Sequence, residues 1–219
     1  MGILIRGGRV VDAAAQIDKI ADVYLDDGVI QKVGEKLEAK DKDDKIIEAK
    51  GLVVMPGLVD LHVHFRDPGQ TEKEDIETGS HAAARGGVTT VVAMPNTTPV
   101  IDSPDRANYV KNKAAQVSAI HVLQAGAMTK GELGEELSDI AGMAAAGVPV
   151  LSEDGKSVMK ASLCKQAMEE AVKAGLPIFD HCEDMSLRGN GCMNADETVK
   201  RLGLPGICNS TEQTTTTSI

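Results

Sequence analysis

The sequence predicts an α/β fold: a partial (β/α)8 TIM-like barrel of about five βα units, preceded by a small N-terminal β module. Three observations carry this expectation. From Gly57 onward, apolar runs and helix-like segments alternate at intervals of roughly thirty residues, the rhythm of strand, loop and helix. The apolar runs are continuous rather than alternating, as parallel strands covered on both faces require. Polar residues with chemistry to offer follow those runs, at the C-terminal strand ends where such folds build their sites.

Taken in order, residues 3–11, 21–33 and 45–49 read as short strand-forming stretches, with Asp26-Asp27-Gly28 as a tight turn. The charged run 40–45 reads as a solvated loop. The stretch from Gly51 to Val59 is apolar, broken by Pro56-Gly57, and predicts a buried strand over 57–62. Further strands are expected at 88–94, 119–125, 148–151 and 177–180, with helices at 73–85, 104–117, 132–146 and 160–174. Ser118, Gly147 and Gly175 close the last three helices. No Gly-x-Gly-x-x-Gly or Walker loop follows the first of these strands, so a doubly wound nucleotide-binding sheet has no support and the barrel is favoured.

Composition narrows the function. The chain has 219 residues, 33 acidic against 23 basic, for a net charge of −10. No basic stripe interrupts that balance, which argues against nucleic acid as a partner. With no Trp, two Phe and two Tyr, base-stacking platforms are not expected and the core must be aliphatic. The four cysteines form no Cys-x-x-Cys, so neither a zinc knuckle nor a disulfide scaffold is expected. No signal peptide and no membrane-length apolar run is present, which makes the reducing cytoplasm the default location.

The chemistry concentrates in Asp60-Leu61-His62-Val63-His64-Phe65-Arg66-Asp67-Pro68. Side chains two apart on a strand share a face, so His62 and His64 emerge together, an arrangement suited to a divalent metal such as zinc (Zn2+). Arg66 can grip a substrate carboxylate through two hydrogen bonds. Asn96, in Met94-Pro95-Asn96-Thr97, brings a donor and an acceptor to the next strand end, or serves only as a turn residue. In Ser152-Glu153-Asp154-Gly155, one of the two carboxylates can bridge metal ions, unless the pair is a surface turn. His181 ends the fifth strand and is expected to face the cavity of His62 and His64, whereas Cys182 points to packing. His81 and His121 read as structural or solvated.

These motifs together resemble a dihydroorotase of the longer bacterial type, within the amidohydrolase superfamily. The resemblance runs from the N-terminal β segment to about Glu212. It implies reversible cyclisation of N-carbamoyl-L-aspartate to L-dihydroorotate, a small-molecule reaction of pyrimidine biosynthesis, with two zinc ions. It further implies that His62 and His64 bind one ion, Asp154 bridges two, His181 binds the second, and Arg66 and Asn96 hold the substrate carboxylate. Other cyclic amidohydrolases of the hydantoinase, dihydropyrimidinase or allantoinase type remain the alternative. Hydantoinases and dihydropyrimidinases would want a carboxylated lysine at the position of Asp154, and Lys156 stands nearby.

The sequence departs from that family in one respect. The family's further metal-binding His on strand six and Asp base on strand eight have no counterpart after His181, so no catalytic base is assigned. A full barrel takes about 250 residues, and the threonine-rich end looks like a truncated frame. The resulting expectation is a chain of three parts: 1–55, an incomplete β-sandwich-like module; 56–208, the N-terminal part of a metal-dependent hydrolase barrel; and 209–219, a tail outside the family. Such a chain is expected to be marginally stable and inactive alone, to hold one zinc or none, and to act as a non-catalytic fragment, a homo-oligomer or a subunit needing a complementing chain.

Overall fold

The structure, a computed structural model, describes residues 2–216. The chain divides into two compact units, residues 1–57 and 58–219. In the first, β1 (Ile3–Asp12), β2 (Ile17–Asp26) and β3 (Val29–Gly34) form an antiparallel meander. Asp27 and Gly28, both at positive φ, make the turn that splits the stretch 21–33 into separate strands. β4 (Lys45–Glu48) and β5 (Val53–Val54) pair in parallel with β1, in two different stretches of it. Val10, Ala21 and Val23 form the core of this unit, against Ile5, Ile17, Leu25, Val33 and Val54. The buried Asp22 is satisfied by backbone: its carboxylate accepts from Gly7 N at 2.7 Å and Leu37 N at 2.9 Å.

The second unit alternates strands and helices: β6 (Leu58–Val63), α1 (Ile76–Arg85), β7 (Val88–Ala93), α2 (Pro104–Val117), β8 (His121–Gln124), β9 (Gly126–Ala127), α3 (Ile140–Ala145), β10 (Leu151–Ser152), α4 (Ala161–Ala174) and β11 (Ile178–Phe179). Beyond these lie α5 (Met185–Arg188), β12 (Met193–Asn194), α6 (Glu197–Leu202), β13 (Gly206–Ile207) and α7 (Thr211–Thr216). Strands β6, β7 and β8 are parallel neighbours in that order, as are β9, β10 and β11. Only Ala125 separates β8 from β9. Its N–H donates to Ala93 O at 2.9 Å, while that of Gly126 donates to Val150 O at 3.0 Å, so one stretch of chain serves both ladders. This is a mixed α/β architecture with parallel strands side by side in chain order.

Burial on both strand faces is clearest at β7. Val91 joins the large core with Ile76, Ile101, Val110, Met143, Leu151 and Ala167, between strands and helices. Its neighbour Val92 points the other way, into a second cluster with Met94, Ala125 and Val150. β6 differs from the expected buried strand: Leu58, Val59 and Leu61 are exposed. Its ladder partner among the described residues is β7 alone, so its other edge carries no paired strand among them.

The helix expected over 132–146 is also corrected. It shrinks to α3, beginning after Asp139, whose carboxylate caps Gly142 N at 2.9 Å. The stretch before it cannot be helical, because Gly131, Glu132 and Gly134 have φ of 62°, 53° and 68°. A short 3-10 turn, Lys130–Glu132, takes its place. α1 starts at Ile76 rather than at residue 73, with Asp75 accepting from Thr78 N at 2.8 Å as its cap.

α4 ends where expected, at Gly175, which adopts φ 70°. A Cβ there would meet nothing within 4 Å, so its only cost is backbone conformation. Gly175→Ala is therefore expected to destabilise the fold by about 1–2 kcal/mol, read as a lower midpoint in urea denaturation with an unchanged slope.

Candidate metal centre

The site is assembled from three strand ends. His62 lies on β6 and His64 just beyond it; their rings meet edge to face with centroids 5.1 Å apart. Asp154 follows β10 and is 7% exposed. His62 Nε2 stands 3.0 Å from Asp154 Oδ1, and His64 Nε2 stands 3.6 Å from Asp154 Oδ2. One ligand atom from each of the three residues lies within 4.8 Å of the other two, a spacing that could hold a metal ion. Two imidazole nitrogens and a carboxylate oxygen form a donor set suited to a divalent ion such as zinc.

Asn96 orders this group. It stands after β7, donates through Nδ2 to Asp154 Oδ2, and places Oδ1 3.1 Å from His64 Nδ1. With Nδ1–H donating to that oxygen, His64 Nε2 keeps its lone pair for a metal. Burial lowers the pKa of His64, and its neighbours Arg66 and His62 act in the same direction, against the opposing pull of Asp154 and the Asn96 hydrogen bond. The neutral imidazole favoured in this way is the form that binds metal. The Asn96 amide is thus tied to two of the three candidate ligands, and its expected part in holding a substrate carboxylate is a separate role.

The structure also separates the two carboxylates that the sequence left open. Glu153 is 1% exposed and turned inward, its Oε2 accepting from Met128 N at 3.0 Å and Thr129 N at 3.1 Å, while Thr129 Oγ1 donates to Oε1. Asp154, one residue on, faces the histidines. Lys156 turns elsewhere, with Nζ donating to Glu132 O at 3.0 Å.

His181 stands outside the group of three. Its Nε2 is 3.2 Å from Glu183 Oε2, and its carbonyl accepts from Ser157 Oγ. Arg188 Nε in turn reaches Glu183 Oε1 at 3.0 Å. His181 lines a cleft of about 370 Å³ with Asp180, Cys182 and Glu183.

Arg66 follows His64 at φ 57°. Sequence reasoning missed the groups around it: Asp67, 2% exposed, is met by Lys113 and Tyr109 of α2. It also missed Glu132, 3% exposed, whose Oε1 has no hydrogen-bond partner among the described residues. Burial, aided by the charge of Glu153, pushes the Glu132 carboxyl up to about 8. The Tyr109 and Lys113 spacing, one turn apart on a predicted helix, was the available signal for the first; nothing local signals the second.

Comparison with known proteins bears on the same residues. A family model described as dihydro-orotase-like matches residues 51–217, about three quarters of the chain and all of this site. The chain belongs to the dihydroorotase-like family. It is 48% identical over 204 residues to a dihydroorotase of Clostridioides difficile (strain 630), covering 93% of this chain and 48% of the relative. It is 43% identical over 211 residues to one from Acetivibrio thermocellus, covering 96% and 49%. This dihydroorotase-like chain thus spans about half the length of the curated relatives it matches.

Solved structures give the same fold. An L-hydantoinase (dihydropyrimidinase) from Arthrobacter aurescens superposes with a TM-score of 0.77 at 22% identity, covering 99% of this chain and 49% of that one. A D-hydantoinase from Thermus sp. superposes with a TM-score of 0.72 at 25% identity, covering 98% and 48%. No helix of the described residues is long and apolar enough to cross a membrane.

Proposed function

We propose that this chain carries dihydroorotase chemistry: zinc-dependent, reversible interconversion of N-carbamoyl-L-aspartate and L-dihydroorotate, a cytoplasmic step of pyrimidine biosynthesis. The convergence of His62, His64 and Asp154 carries the reading, and the family match names the substrate. His62 and His64 would hold one ion, Asp154 would bridge to a second, and His181 would serve that second ion. Bound zinc supplies a polarised amide carbonyl and a more acidic water. Asn96 orients His64 and Asp154, and Asp154 brings negative charge between the two imidazoles. Arg66 would pair with the substrate carboxylate.

We read β6, β7, β8 together with β9, β10 and β11 as five consecutive positions of a (β/α)8 barrel, a reading supported by the hydantoinase folds. The exposed apolar side chains of β6 favour a further strand on that edge, supplied by another copy or a complementing chain. The hydantoinase alternative is disfavoured by Lys156, which hydrogen-bonds away from the three ligands.

Two measurements test this. Zinc titration of the purified chain should saturate, and N-carbamoyl-L-aspartate should then bind in a manner lost in Arg66→Met. Ring opening of dihydroorotate, followed by ultraviolet absorbance, should be negligible with the chain alone and rise when the second half of a relative is added. Consumption of hydantoin or dihydrouracil with no response to dihydroorotate or carbamoyl-aspartate would overturn the reading.

A further inference from the structure

We propose that Asp67, clamped by Lys113 and Tyr109 of α2, is a positioning residue that sets Arg66 for the substrate carboxylate. The inference rests on the role given to Arg66 above. Arg66 holds φ 57°, a conformation that residues with a Cβ rarely adopt. Something next to it must hold the chain there. Asp67 is the adjacent residue, and its side chain is almost fully buried.

A buried carboxylate is costly unless it is paired, and this one is paired twice. Lys113 Nζ stands 2.5 Å from Oδ2, an ion pair without regular hydrogen-bond direction, and Tyr109 OH donates to Oδ1 at 3.1 Å. Tyr109 and Lys113 are four residues apart, so one face of α2 presents both groups. The pair links a rigid helix to the residue that follows Arg66.

The rest of the loop is fastened on its other side. Gln70 N donates to Arg66 O at 2.9 Å, closing a turn around Asp67 and Pro68. Thr98 N donates to Pro68 O at 3.1 Å, and Gln70 Nε2 donates to Thr98 Oγ1 at 3.1 Å. Gly69, at φ 83°, passes so close that an added Cβ would lie 1.7 Å from Thr98 O. The Arg66 loop is therefore bound to the loop that carries Asn96, and Asp67 provides its attachment to α2. The guanidinium itself makes no hydrogen bond or ion pair among the described residues, and its charge reaches His64. A cation held beside the metal ligands without a protein partner is set up for an anionic ligand.

The experiment compares the full chain with Tyr109→Phe, Lys113→Met, Lys113→Arg and Arg66→Met. Zinc and then N-carbamoyl-L-aspartate are titrated calorimetrically, and amide hydrogen exchange is followed at Gln70. Lys113→Met is expected to weaken carbamoyl-aspartate roughly 10-fold or more while zinc affinity stays within about 2-fold. Lys113→Arg should restore binding, and Lys113→Met added to Arg66→Met should cost nothing further. Tyr109→Phe, which preserves shape and the ion pair, should give a smaller loss of the same kind. Exchange at Gln70 should speed up in Lys113→Met and recover in Lys113→Arg.

Equal losses of zinc and ligand affinity, or additive effects of Lys113→Met and Arg66→Met, would reduce the clamp to packing and overturn the proposal. If wild-type chain binds zinc but no carbamoyl-aspartate, the assigned substrate fails. Unchanged Gln70 exchange would then still overturn the clamp on its own.

Discussion

Asp154→Ala is expected to lower zinc affinity by more than about 100-fold, measured by competition with a chromophoric chelator. Losing an outer hydrogen-bond partner of a metal ligand typically costs about 10–100-fold. Asp154 does more than such a partner, because both of its oxygens face imidazole nitrogens, at 3.0 and 3.6 Å. Without it, two partly exposed histidines remain, with the entropy of two side chains to restrain and no anionic donor. Asn96→Ala provides the internal scale. Asn96 touches both His64 and Asp154 without being counted among the three ligands, so its removal should fall within the 10–100-fold range. If Asp154→Ala binds zinc as well as wild type does, the assigned centre is wrong.

The convergence of His62 and His64 was legible because strand periodicity is a simple rule. Residues two apart on extended chain share a face, and at the end of β6 the two rings do meet. The start of α2 at Pro104 and the end of α4 at Gly175 were legible for a similar reason, since proline suits a first turn and glycine a left-handed cap. What failed depended on contacts distant in sequence. The segment around Glu132 looks helical by composition, yet it takes left-handed φ at three positions, with its backbone tied to Asp102, Thr129 and Lys156 by hydrogen bonds. Glu153 and Asp154 were indistinguishable until Met128 and Thr129 claimed the first. Asn96 stands at the strand end the sequence placed it at, and its hydrogen bonds to His64 and Asp154 are set by side-chain geometry that the sequence does not show. β6 is as apolar as a buried strand, and its exposure follows from which neighbours it has.

Glu132→Gln is expected to stabilise the metal-free chain at pH 8 and to leave it almost unchanged at pH 4. In the folded chain, burial first and the neighbouring Glu153 second hold the Glu132 carboxyl protonated up to about 8. In the unfolded chain a glutamate ionises near its ordinary value of about 4.3. Between those values the folded state binds more protons than the unfolded state, so stability falls as pH rises. The contribution of the raised pKa is fully present below about pH 4 and is lost as pH climbs through about 8. At roughly 1.4 kcal/mol per pKa unit, the wild-type chain should lose on the order of 3–5 kcal/mol across that interval from this group alone. Glutamine keeps the shape and cannot ionise, so its stability curve should lack this slope, and the difference between the two proteins should widen from pH 5 to pH 8. Urea denaturation at a series of pH values, with chelator present, measures it. Parallel curves for the two proteins would show that Glu132 ionises freely in the folded state and that burial does not hold its carboxyl protonated.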